Sequence, residues 1–447
     1  MWLIILLLLS IVFIIISTSV LKWHPFLSLI LVAFGFGVLS GKMTLTEVVE
    51  TVNDGFGSTI GYIGIVILAG SIIGKFLEMS GGAFKLAGGA LKLVGKKKVP
   101  LAMSIVGYIV SIPVFCDSAF IVLSPLAKAI SKKLKISLAM LAIALSLGLY
   151  VTHSLIPPTP GPVAAAGILQ ADLGMVIFYG LPVSLIGLVT GWLFSLKIAS
   201  KHQIETDSGQ DEKEQVFDDK NSPSLVKSLL PVFVPIILIV IRSVSILPSI
   251  PFGEGNLFEI LNFIGQPSVA LLIGVGLSFL LPKKLTKEML STTGWLGQGI
   301  IAAASIIIVT GSGGAFGKVL QASGIAEVIQ NNLSGAQTLG IWLPVIIALS
   351  LKIAQGSSTV AIITTASLMA PLLASLGMDS PTARALVVTA IGAGSIIASH
   401  ANDSYFWVVT QMTGMNVRQG YKLQTLGTLA MGIMSATAVW LISLWVL

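Results

Sequence analysis

The stretch "SIIASHANDSYFWVV" (395–409) sets His400, Asn402 and Asp403 between apolar flanks. An imidazole, an amide and a carboxylate that close together could carry a proton, bind hydroxyl groups or cap a helix. Three other apolar runs are interrupted in the same manner. "SIPVFCDSA" (111–119) holds Asp117 and Ser118, "THSLIPPTPGP" (152–162) holds His153 and Thr159, and "KIAQGSST" (352–359) holds Lys352, Gly356, Ser357, Ser358 and Thr359. Ser404 directly follows Asp403.

Each of these has a plain reading beside the functional one. Asp117 and Asp403 fit half-helix caps as well as a transport site, and the two roles are compatible. His400 and His153 could switch charge through modest shifts, or stay neutral and hold a break in place. Lys352 could attract an anion, snorkel, or pair with an acid. The hydroxyls of Ser357, Ser358 and Thr359 suit a ligand rich in hydroxyl groups, although Ser and Thr also join transmembrane helices. Cys116 reads as a small packing residue.

The rest of the chain says where such groups must sit. It is 447 residues long, 55% hydrophobic and 10% charged, against about 25% charged in a soluble domain. Apolar runs near the roughly 20 residues that cross a bilayer recur from end to end, so the fold class is an all-α polytopic membrane protein. The first run, "WLIILLLLSIVFIIISTSVL", has neither a basic leader before it nor a small-x-small cleavage site, and reads as a retained span. A single cysteine excludes an intramolecular disulfide, no metal-ligand spacing is present, and no cofactor is implied. The net charge of +7 comes from basic residues that flank spans, with no interleaved aromatic patch for nucleic acid. "GSGGAFG" (311–317) lacks the order of a phosphate loop, so the energy source is an ion gradient rather than ATP.

A polar stretch divides the chain into residues 1–200, a cytoplasmic linker at 201–227, and residues 228–447. "GKFLEMSG" from Gly74 recurs as "GKVLQASG" from Gly317, and "LSPLAKAI" around Pro125 as "MAPLLASL" around Pro371, in the same order. This is an internal duplication. Spans are expected at 2–21, 25–41, 58–77, 137–170 and 174–199, then at 228–248, 260–281, 294–316, 383–412 and 423–446. An extra apolar stretch in each half (99–131, 340–376) is too long for one crossing and is interrupted midway, which predicts a re-entrant helical hairpin. The first is bracketed by "GKKK" and "KKLK", placing both of its ends in the cytoplasm. With about five net spans per half, the repeats are inverted relative to each other. With the N-terminus outside, all of the 26 Lys and Arg except Lys42, Arg242, Lys318, Arg384 and Lys352 fall on cytoplasmic segments. The fourth span of each half is broken at matching positions, by Pro157, Pro158, Pro160 and Pro162 in one and by His400 to Ser404 in the other.

At these residues the chain resembles the gluconate permeases, within the wider group of ion-coupled organic-anion transporters. The resemblance rests on "FCDSAFIVLSPLAK" (115–128), "LIPPTPGPVAAA" (155–166), "GGAFGKVLQASGI" (313–325), "AQGSSTVAIITTA" (354–366) and "SHANDSYFW" (399–407), and so covers essentially the whole chain. It implies a plasma-membrane carrier that takes up a sugar acid such as gluconate together with a proton, with relatives for other aldonates, hexuronates, glycerate or D-serine. The motifs do not separate one substrate from another.

The sequence therefore predicts a secondary transporter, not an enzyme, with a small organic anion and a proton as its partners within a lipid bilayer. Interrupted helices offer free backbone groups to both ligands. Expected substrate contacts are Ser118, Thr159, Gly356, Ser357, Ser358, Thr359, Asn402, Ser404 and Lys352. Asp117, Asp403, His400 and His153 are the expected ion-coupling groups. Sodium stays open as the coupling ion, because hairpin-tip carbonyls and hydroxyls could coordinate it equally. A channel would conduct without accumulation, and an intramembrane enzyme would not need two hairpins. Homo-oligomerisation is compatible with an inverted-repeat carrier, and no residue demonstrates it.

Overall fold

The computed structural model describes residues 2–94, 98–204, 222–245, 255–325, 327–328, 339–401 and 403–447, and every regular element among them is helical. Helices α1 (Trp2–Ile15), α2 (Pro25–Ser40), α3 (Leu45–Met79) and α4 (Gly82–Val94) open the chain. His24 accepts the Phe26 N–H just before Pro25 and so starts α2. A reciprocal Thr44–Glu47 capping box starts α3 well before the apolar run expected at 58–77. Hydropathy alone misses such a start because the box lies in a polar segment.

The middle of the chain forms α5 (Val99–Val110), α6 (Cys116–Leu134), α7 (Leu138–Leu155), α8 (Pro160–Leu169), α9 (Leu173–Lys197) and α10 (Leu225–Ser245). Next come α11 (Asn256–Ile264), α12 (Pro267–Ser278), α13 (Trp295–Ala322), α14 (Trp342–Gln355), α15 (Ser358–Met369), α16 (Pro381–Ile396) and α17 (Ser404–Thr413). A turn of helix at Val417–Gly420 and a π turn at Tyr421–Thr425 lead into α18 (Leu426–Val446).

All four interruptions read from the sequence are breaks between helices: α5/α6, α7/α8, α14/α15 and α16/α17. Three of them show a local backbone feature. Pro157 and Pro158 remove the N–H groups that would continue α7. Gly356, at φ 78°, caps α14 in the left-handed conformation that a side chain resists. Ile397 turns extended and Ala398 left-handed (φ 59°) after α16. The expected span 260–281 is likewise broken, bent by 67° between α11 and α12. Pro267 starts the second helix, and Gly265 ends the first against the Leu238 backbone and Arg242 of α10, where a Cβ would collide.

The core lies around α7, which is buried along nearly its whole length, whereas most of α10 is only half-buried. Helix α5 approaches it closely: a Cβ on Gly107 or Gly148 would strike the facing backbone. Helix α6 packs on α17 and α8 packs on α15, so an element of each half lies against an interrupted element of the other. Outward-facing Phe178, Leu181, Leu185 and Val189 on α9 form part of an apolar exterior. Among the described residues five helices have the length and composition to cross a membrane, or seven if each bent pair counts as one span. Trp2–Thr18 and Pro25–Ser40, both expected as spans, are shorter than that criterion. Residues 205–221 of the expected linker, and Asn402, lie outside the described residues.

Candidate functional site

The site forms where the tip of α14/α15 meets the break after α16. Lys352 lies in the last turn of α14 and is 0% exposed. Its Nζ donates to Asp403 Oδ2 at 2.6 Å and to the Gly356 carbonyl at 2.9 Å, and lies 5.7 Å from the Tyr150 ring centroid. Because α14 stops at Gly356, that carbonyl has no helical partner and is free to accept.

Asp403 takes the capping role read for it and also pairs with Lys352. Its Oδ1 accepts the Tyr405 N–H at 3.1 Å and caps α17. Its Oδ2 accepts from Lys352, from Ser399 Oγ at 2.5 Å and from the Tyr150 hydroxyl at 3.2 Å. A carboxylate that accepts this many donors is held in one orientation. The break that carries it is pinned from the α18 side. Thr425 Oγ1 donates to the Ser399 carbonyl at 2.6 Å, and Ser399 N–H donates to Thr428 Oγ1 at 3.0 Å. Tyr150 stacks on Tyr405 at 5.1 Å, and Tyr405 in turn donates to the Ser146 carbonyl at 3.0 Å.

The region of the first half is arranged differently. His153 Nε2 lies 3.4 Å from Thr359 Oγ1, joining α7 to the α15 tip, while among the described residues its Nδ1 is buried without a partner. Asp117 does not cap α6; among the described residues its Oδ1 is also buried without a partner, and the Cys116 thiol lies 3.7 Å from Oδ2. A cavity of about water size is lined by Ser71, Phe115, His153, Pro158 and Thr159. Among the described residues Ser71 Oγ is buried and unpartnered as well, and so, in the second half, are both side-chain polar atoms of Gln355 at the end of α14.

Of the other expected residues, Ser357 caps α15 by accepting the Val360 N–H, and Thr159 Oγ1 donates to the Ile156 carbonyl. Ser358 is buried at the start of α15, and Ser118 is half-buried at the start of α6. His400 takes part through its backbone, its carbonyl accepting the Asp403 N–H at 2.8 Å. Ser404 is exposed at the first position of α17 and is not drawn to the ion pair. Tyr150, Ser399, Tyr405, Ser71 and Gln355 escaped the sequence reading. One of them carries a spacing signal: Tyr150 lies one helical turn before His153 on α7.

The GntP family permease model matches residues 2–445. This chain belongs to the GntP permease family. The permease is 32% identical over 449 residues to a gluconate permease of Pseudomonas aeruginosa, covering 98% of this chain and 96% of the relative. It is 32% identical to the D-serine transporter DsdX of Escherichia coli, covering 99% and 98%, and 37% identical to an uncharacterized permease of Haemophilus influenzae, covering 91% and 84%. In fold it is similar to the YdaH transporter of Alcanivorax borkumensis, with a TM-score of 0.68, 13% identity, and 95% and 99% of the two chains covered. This family member is thus a multi-pass transporter of a bacterial cell membrane and not an enzyme.

Proposed function

We propose that this permease takes up gluconate, or a similar small sugar-acid anion, together with a proton, by alternating access between two inverted repeats at 1–200 and 228–447 joined by the 201–227 linker. The observation that carries this reading is the Lys352–Asp403 pair buried where two interrupted elements meet. A buried ion pair contributes little to stability compared with apolar packing, so its retention points to a use. A substrate carboxylate can replace Asp403 on the Lys352 ammonium. Asp403, or Asp117, then takes one proton from the outside, so that the arriving anion and proton leave the net charge of the site unchanged. Both ligands are released inside, and the pair re-forms.

Four helices, α6, α8, α15 and α17, begin at the breaks, and their free N–H groups favour a carboxylate. The unpartnered Ser71, His153 and Gln355 atoms offer hydrogen bonds to substrate hydroxyls. D-serine is a second reading, supported by the equal identity to DsdX. D-serine and gluconate share a carboxylate and a hydroxyl, which are the groups this chemistry would read.

Uptake of radiolabelled gluconate and of D-serine into proteoliposomes, under an imposed inward proton or sodium gradient, tests the proposal. Gluconate accumulation above equilibrium is expected with the proton gradient alone. Accumulation that requires sodium overturns the coupling ion, and accumulation of D-serine but not gluconate overturns the substrate.

A further inference from the structure

The Lys352 ammonium is surrounded in a way that a lysine seeking an anion does not require. Beside Asp403 Oδ2 it bonds the Gly356 carbonyl, the oxygen freed where α14 ends. The partial negative charge of a helix C-terminus, an unwound carbonyl and a carboxylate together make the oxygen-donor shell in which interrupted helices of carriers hold a small monovalent cation. Asp403 Oδ2 is in turn oriented by Ser399 and Tyr150, and the ring face of Tyr150 also lies toward the ammonium. Two oxygens and a ring face are pre-positioned around the ammonium, and the cation they hold is covalently attached to the chain.

We infer that Lys352 is a tethered cation occupying a monovalent-cation site built from Asp403, Gly356 and Tyr150, so that removing its side chain converts the site into one that binds a free cation such as sodium or methylammonium. A tethered ammonium fills the site whenever the pair is closed and is carried away with neither substrate nor gradient. Transport by the natural chain is then indifferent to sodium. Only this consequence rests on the transport reading; the binding site itself does not.

The test uses purified full-length protein and no substrate, so its outcome is independent of whether gluconate is the cargo. Thermal unfolding of Lys352→Ala is followed in choline chloride and in equal concentrations of sodium, potassium or methylammonium chloride, beside the natural chain and the Lys352→Ala/Asp403→Asn double variant. The single variant should gain a saturable rise in Tm, on the order of 5 °C, in sodium or methylammonium. The natural chain and the double variant should each move by about one degree or less. If the single variant folds only when prepared in one of these cations, the inference is equally supported. A folded single variant blind to every cation overturns it, as does a double variant that responds like the single one. Misfolding of the single variant in every salt assigns Lys352 to packing and overturns it too.

Discussion

The two interrupted regions share an architecture and differ in how their polar groups are satisfied. In the second half, Asp403 accepts from Lys352, Ser399, Tyr150 and a backbone N–H, and its loop is held by Thr425 and Thr428. Among the described residues of the first half, Asp117 Oδ1, His153 Nδ1 and Ser71 Oγ are buried without partners, and His153 and Ser71 face a water-sized cavity; in the second half Gln355, beside the ion pair in α14, is left unpartnered too. Leaving a buried polar atom unpaired costs about 1–3 kcal/mol. The first region therefore retains hydrogen-bonding capacity that a ligand can use. The second region holds a closed, buried charge pair.

The comparison breaks most decisively at Asp403. Asp403→Asn leaves the Lys352 ammonium without its counter-ion, at about 3–5 kcal/mol of stability, and should abolish gluconate accumulation in proteoliposomes while sparing exchange. Full concentrative uptake by this variant would remove Asp403 from coupling. Asp117→Asn should cost less stability, because no ion pair is lost, yet reduce proton-driven accumulation at least tenfold. A normal accumulation ratio in the Asp117→Asn variant would leave Asp403 as the sole coupling carboxylate.

Smaller effects sharpen the contrast. If the first region reads substrate hydroxyls, Ser71→Ala should raise KM for uptake roughly tenfold with little change in Tm, since a hydrogen bond is worth about 0.5–1.5 kcal/mol. A lower Tm with an unchanged KM would make Ser71 a packing residue. Tyr150→Phe removes one of several donors to Asp403 and should reduce stability by about 1 kcal/mol, read by thermal unfolding. Ser404→Ala, at an exposed position, should leave both uptake and Tm within error. A large loss there would place a ligand contact outside the buried pair.

Much of the site was legible before the fold. Pro157, Pro158 and Gly356 interrupt helices by local sterics, and Lys352, Asp117, His153 and Asp403 stand out because charge is rare in an apolar run. Other parts were hidden for physical reasons. Tyr150 and Ser71 are unremarkable within apolar helices until their neighbours are known. The early start of α3 depends on a capping box in a polar segment, and the bend before Pro267 places Gly265 directly against α10.

The sequence by itself determined the membrane class, the helical architecture, the four interruptions and the rare charges near them. All of these follow from hydrophobicity and backbone restriction acting over a few residues. Only the tertiary structure decided that Lys352 pairs with Asp403, that Tyr150 donates to the same carboxylate, and that His153 meets Thr359. Those partners are 51, 253 and 206 residues apart. Their meeting depends on α6 lying against α17 and α8 against α15, and that arrangement is set by the packing of whole helix faces rather than by any local pattern.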